Sequence, residues 1–406
     1  MLRQDQGEKE RRDRRRVEQG IGEAPQVAHG ELARRFVRHC AVTGLPAESS
    51  TRSLVKSADA FVRSATVKEG QLDEAIRVLF REISRVERHG FLPAEVERAR
   101  KDIVTQAERL ARERDKTNVG VFASEISRHF LIDEQMPGAE TELAWITELV
   151  PSITLDELNH LAKRWGGDRG RVIAISAPAS VKLPTEREVS SLAKAAADAP
   201  VAAWQEGASD KPLVLAPPAP GKVLKTTSDA PAGATVWTLA NGIRVVVKPT
   251  AFENDSVRLT GWQAGGTSLV PDKDFVQARF ADEIVAAGGA GDFDAVTLRK
   301  MLAGKVASAS VNLGELATTA FGQARPADLE TMLQLLYLRL TAPRRDERAF
   351  ARWKAQQLEL ERHRKESPEQ QFTDAMTELQ TSNHLRRRPV TREIIEQVDL
   401  DKALAV

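Results

Sequence analysis

Thr235-Val236-Trp237-Thr238-Leu239-Ala240-Asn241-Gly242-Ile243-Arg244-Val245-Val246-Val247 is the stretch whose reading decides the fold of the C-terminal half. Two runs rich in β-branched residues flank Asn241-Gly242. That pair accepts the positive φ angles of a two-residue hairpin turn, so the stretch reads as a β-hairpin. Working forward, Ser256 to Trp262 reads as a further strand ended by Gly265-Gly266. Asp274 to Ala287 reads as a helix closed by Gly288-Gly289, and Asp294 to Leu302 as a shorter one. Lys305 to Val311 and Glu315 to Phe321 form a second hairpin. Asp328 to Leu340 is apolar and helical, and three more helices follow over Asp346–Lys365, Pro368–Thr381 and Thr391–Ala405. Strands, helices, strands and helices in that order predict an α+β domain, its antiparallel or mixed sheet covered by helices on one face.

Working backward, residues 201–234 hold Pro212, Pro217, Pro218, Pro220 and Pro231 with Gly207, Gly221 and Gly233, which reads as an extended linker. Residues 31–200 read as mainly helical. Leu72, Ile76, Leu79, Phe80, Ile83 and Val86 recur every three or four residues, which puts one apolar stripe on a helix over Glu69–Arg88. Pro93 opens a long charged helix to about Lys116, and two more cover Val119–Leu131 and Leu155–Arg164. Arg171 to Pro178 reads as a short strand. Residues 1–30 read as a charged, disordered tail. Met1–Gly20 interleaves seven basic residues with five acids, and no apolar core of a secretion signal follows.

The chain has 406 residues with 59 Lys+Arg against 58 Asp+Glu, and this balance argues against a dedicated nucleic-acid binder. No apolar run is long enough to span a membrane. The single cysteine, Cys40, rules out an intrachain disulfide and a cysteine-cluster zinc site. Compartment stays open on this reading.

A search for catalytic patterns returns none that assigns a residue. His29, His39, His89, His129, His160, His363 and His384 form neither His-Glu-x-x-His nor its inverse. His363-Arg364-Lys365-Glu366 comes nearest, but Ser367 follows it in place of a second histidine. Gly288-Gly289-Ala290-Gly291 follows a helix and lacks the Lys-Ser/Thr of a phosphate loop, so it reads as a helix cap. Arg386-Arg387-Arg388-Pro389 reads as a solvated loop, and Trp237 and Trp262 as core or sheet-face residues. No catalytic, cofactor-binding or metal-binding residue is therefore assigned.

Taken together, the hairpin from Thr235 to Thr250, Gly265-Gly266-Thr267-Ser268, Arg279-Phe280-Ala281-Asp282-Glu283 and Pro326-Ala327-Asp328-Leu329 resemble the third domain of insulinase/pitrilysin zinc metallopeptidases. Upstream, Glu82 to Lys101, Phe130-Leu131, Pro137-Gly138 and Ile153-Thr154 resemble that family's second domain. The resemblance runs from about Ser53 to Val406. It implies four related α+β domains in two halves, closing like a clamshell around a peptide. Two histidines and a glutamate of the first domain would hold zinc there. In this chain the equivalent helix of the third domain reads Gln277-Ala278-Arg279-Phe280-Ala281-Asp282-Glu283 without a histidine, so no zinc role transfers.

The expectation is a non-catalytic portion of such a peptidase: a second-domain-like region over 31–200, the linker over 201–234, and a third-domain-like region over 235–406. Both domains would be incomplete, with open strand edges that favour self-association. Zinc is implied for the intact enzyme and none for this chain. Expected partners are a peptide or protein substrate, and either a catalytic partner or the missing first and fourth domains. The alternative is an inactive partner subunit or peptide-binding module that pairs with a catalytic subunit. Bacterial members of the family are often periplasmic.

Overall fold

The computed structural model describes residues 47–55, 58–67, 70–132, 134–166, 170–205 and 211–406. The chain divides into two compact units, with the boundary between Ala208 and Ser209.

Among the described residues the first unit begins with a hairpin of β1 (Ala47–Val55) and β2 (Ala58–Ala65), paired antiparallel. Six helices follow: α1 (Leu72–His89), α2 (Pro93–Arg112), α3 (Val119–Ile132), α4 (Ala139–Leu149), α5 (Leu155–Gly166) and α6 (Glu186–Asp198). The α1 stripe is buried in two directions. Ile76, Phe80 and Ile83 meet Val189, Ala193 and Ala196 of α6, while Val86 joins Phe91, Val96, Ala99, Leu158 and Ala162. Gly90 ends α1 at φ 65°, and a Cβ there would overlap the Asn159 amide that accepts the Phe91 N–H at 2.8 Å. Only glycine meets both demands. Helix α6 begins with a reciprocal cap: Thr185 Oγ1 accepts the Glu188 N–H, and Glu188 accepts the Thr185 N–H. The Thr185 N–H foremost, and then the Thr185 hydroxyl, donate to the Glu188 carboxylate and hold it below its usual range.

The second unit has two three-stranded antiparallel sheets. The first joins β3 (Val223–Asp229), β4 (Ala234–Leu239) and β5 (Arg244–Val247); the hairpin read from the sequence forms, but its turn spans three residues, Ala240 to Gly242, and only Gly242 takes a positive φ, 87°. The second contains β6 (Val257–Ala264), β7 (Ala307–Leu313) and β8 (Ala317–Ala324) in the order β6-β8-β7. Helices α7 (Phe275–Ala278), α8 (Ala281–Gly288) and α9 (Ala295–Met301) lie between β6 and β7 in sequence. After β8 come α10 (Leu329–Thr341), α11 (Glu347–Glu366), α12 (Pro368–Gln380), α13 (Arg392–Glu396) and α14 (Leu400–Leu404). Mixed helices and antiparallel sheets make this the expected α+β class.

Several expectations are corrected. Val223–Asp229, inside the stretch read as linker, is strand β3. No proline falls between Pro220 and Pro231, and Lys225-Thr226-Thr227 pairs with β4 across a short turn containing Pro231 and Gly233. Arg171–Pro178 is not a strand: it forms no ladder with any described strand. The β1/β2 hairpin, α4 and α6 were not read at all. The helix expected over Asp274–Ala287 breaks at Arg279-Phe280, and that over Thr391–Ala405 breaks before Asp399, which caps α14 by accepting the Lys402 N–H. Residues 1–46, with the tail, His29, His39 and Cys40, lie outside the described residues. No described helix is long and apolar enough to cross a membrane.

Candidate functional site

Small residues set the position of the β6-β8-β7 sheet. Register places Val257, Leu259 and Gly261 of β6, Ala320, Gly322 and Ala324 of β8, and Ala307, Ala309 and Val311 of β7 on one face. Helix α10 packs on that face. A Cβ at Gly322 would reach within 2.7 Å of the Met332 sulfur, and Ala309 packs with Leu335 and Leu338. Glycine and alanine here let the helix backbone come close.

The other face follows from the same alternation. It presents Arg258, Thr260 and Trp262 from β6, Ala317, Thr319 and Phe321 from β8, and Ser308, Ser310 and Asn312 from β7. Trp262 lies opposite Thr319 and Phe321 opposite Thr260, so the two rings are diagonal neighbours on one surface. Trp262 is 70% exposed and Phe321 48%. The outer edge of β6 pairs with no described strand. An exposed Trp and Phe beside hydroxyls, along a free strand edge, fit an extended polypeptide: main-chain hydrogen bonds at the edge, side chains on the rings.

The helix that the family resemblance equates with the zinc motif does different work. Gln277 donates to the Gln397 carbonyl at 3.0 Å and accepts the Asp399 N–H at 2.8 Å. Arg279 donates to the Arg388 carbonyl, and burial lowers its pKa, with Arg364 adding to the effect. Asp282 accepts from the Asn312 amide and the Leu313 N–H. Glu283 accepts the Trp353 indole N–H at 2.8 Å and the Gln357 amide at 2.9 Å. Each polar side chain in this stretch is committed to holding helices and strands together. They do not fit a zinc ion, which takes histidine, cysteine or free carboxylate ligands.

The described histidines are scattered. His89 bonds the Val201 carbonyl, His129 the Glu134 carbonyl and His160 the Asp156 carbonyl. His363 pairs with Glu359 on its own helix, and His384 accepts the Arg386 N–H. Among the described residues no three His, Cys, Asp or Glu side chains are grouped to hold a metal. Gly289 closes α8 at φ 99°, in keeping with the helix-cap reading of Gly288 to Gly291.

The tribasic run is the largest departure from the sequence reading. Arg386, read as solvated, donates to the carbonyls of Thr267 at 2.7 Å and Val270 at 2.6 Å, pairs with Asp272 and lies over the Phe275 ring. Arg387 pairs with Glu315. These partners lie more than 70 residues away in sequence, so no local pattern signals them. They fix the segment that follows the exposed end of β6.

No protein-family model matches the chain. Over 326 residues, 79% of this chain, it is 27% identical to a zinc protease PQQL-like protein of Arabidopsis thaliana. The chain spans about a third of that relative's length, 31%. Among solved structures, a ferredoxin protease FusC variant in complex with Arabidopsis ferredoxin has a like fold. The TM-score is 0.58 at 19% identity, over 94% of this chain and 43% of that one. The periplasmic protease PqqL from Escherichia coli aligns with a TM-score of 0.45 at 17% identity, over 94% of this chain and 42% of that one.

Proposed function

We propose that this chain, which resembles the insulinase/pitrilysin zinc metallopeptidases, is a non-catalytic portion of such an enzyme and contributes wall and substrate contacts to its peptide-enclosing chamber. The open β6-β8-β7 face, with Trp262 and Phe321 beside an unpaired strand edge, is the observation that carries this reading. A binding wall needs apolar surface and main-chain partners, and it needs no nucleophile, base or metal of its own. The ligand class would be an extended segment of peptide or protein. FusC, solved bound to the protein ferredoxin, shows that a protein of like fold takes a protein ligand. Bond cleavage would require zinc held by residues outside this chain.

The test uses the purified full chain. It is expected to bind a fluorescently labelled, permanently unfolded polypeptide without cleaving it, and to retain no stoichiometric zinc. Trp262→Ala should weaken that binding about tenfold, the equivalent of ~1.4 kcal/mol, with no change in thermal unfolding. Stoichiometric zinc together with peptide hydrolysis would overturn the proposal. So would binding that Trp262→Ala leaves untouched.

A further inference from the structure

The chain has six asparagines, and glycine follows only Asn241. Ala240, Asn241 and Gly242 are all exposed, in the turn that closes β4 on β5. The Ile243 N–H donates to Asn241 Oδ1 at 3.2 Å. This bond folds the side chain back along the Gly242 peptide, brings its Cγ towards the Gly242 nitrogen and polarises the carbonyl for attack. Nothing lies within 4 Å of where a Gly242 Cβ would stand, so that nitrogen is unhindered. Its N–H donates to the Leu239 carbonyl at 3.0 Å, a bond that must open first and that sits at an exposed turn, where local opening is easiest.

The other asparagines lack one requirement or another. Asn118 accepts the Gly120 N–H at 2.7 Å in the same way, but β-branched Val119 crowds the attacking nitrogen. Asn159 sits within α5, where the next N–H is held by the helix. The Asn312 amide and the Leu313 N–H both donate to Asp282. Asp255 and His384 place side chains beside the nitrogens that follow Asn254 and Asn383.

We propose that Asn241 is a site of spontaneous modification, converting to aspartate and isoaspartate in the folded protein. The Gly242 nitrogen gives its proton to a solvent base and bonds to Asn241 Cγ. The bond from Cγ to the side-chain nitrogen breaks, and that nitrogen leaves as ammonia after taking a proton from solvent. Water then opens the cyclic imide. Cleavage at Cγ restores the main chain with aspartate at 241; cleavage at the main-chain carbonyl leaves the chain running through Cγ, as isoaspartate. Water is the only co-reactant, and nothing is oxidised or reduced. Both products add a negative charge, and isoaspartate adds a main-chain carbon to the turn. Among the described strands β5 pairs with β4 alone, so this end of the sheet would loosen. The proposal is independent of the peptidase reading.

The full chain, kept folded in mildly alkaline buffer and then digested with trypsin, tests it by mass spectrometry. The peptide Thr226–Arg244 holds no other asparagine. It should show the amide-to-acid mass change before any other asparagine-containing peptide does. Part of the product should resist an endoproteinase that cuts before aspartate at 241, as isoaspartate does. Asn241→Gln, which would need a larger and slower-forming ring, should lose the signal while circular dichroism stays unchanged. An Asn241 that stays intact in the folded chain, whether or not it converts in urea, would overturn the proposal. So would earlier conversion at another asparagine, or a mass change in this peptide that survives Asn241→Gln.

Discussion

Trp353→Ala should unfold the second unit more readily by about 3–5 kcal/mol, the cost of emptying a large aromatic site in a core. Trp353 is 6% exposed. Its ring lies edge-on to Phe280 at 5.3 Å and stacked on Phe350 at 5.7 Å, within a cluster completed by Ile284, Val398, Leu400 and Ala403. The cluster joins α8, α11, α13 and α14, so the cavity would open where four helices meet. The indole N–H also donates to Glu283, an exposed residue, and removing it takes one partner from that carboxylate. Trp353→Phe separates the two effects. It keeps a ring in the site and loses the hydrogen bond, and should cost about 1–3 kcal/mol. Urea unfolding followed by near-ultraviolet circular dichroism measures both variants. An alanine variant within ~1 kcal/mol of the parent would show that the cluster does not hold the helices together.

Arg386→Ala is the second large effect, about 2–4 kcal/mol by the same measurement. The substitution strands the Val270 carbonyl, takes one of two donors from the Thr267 carbonyl and leaves Asp272 without its cation. Arg386→Lys should recover less than half of that loss. An ammonium carries its three N–H groups on one atom and cannot match the planar fork that reaches two carbonyls and a carboxylate, and it stacks less well on the Phe275 ring. Full recovery by lysine would mean that charge alone matters at this site. The Arg387–Glu315 pair is exposed on both sides, and Arg387→Ala should change stability by less than ~1 kcal/mol.

These two residues also show what a sequence reading could and could not see. The β4/β5 hairpin was legible because all of its determinants are local: Asn241-Gly242 and an alternating run on either side. The stripe of α1 was legible for the same reason, since its period survives whatever packs against it. Strand β3 was lost in a window dominated by prolines, although its own residues carry none. The reverse error at Arg171–Pro178 has a matching cause. That run has the composition of a strand, but a strand exists only with a neighbour to pair with. Trp262 was placed on a strand correctly, yet its face depends on the register with β8, which a single sequence does not print. Arg386 was beyond reach altogether, because its carbonyl partners lie 116 and 119 residues away. The site was therefore legible as a strand and a tryptophan, and illegible as a surface.

The anchoring of Arg386 has a consequence for digestion of the native protein. In an unfolded chain Arg386-Arg387-Arg388 would be among the first places trypsin cuts. Here the Arg386 side chain is tied to a segment distant in sequence and cannot enter a protease specificity pocket without local opening. Pro389 shields the bond after Arg388. Among the described residues Lys182, exposed in a stretch outside any helix or strand, should be cut in the native protein before the bond after Arg386. The bond after Arg386 should become susceptible only when the second unit loosens, so its cleavage rate would serve as a clock for that opening.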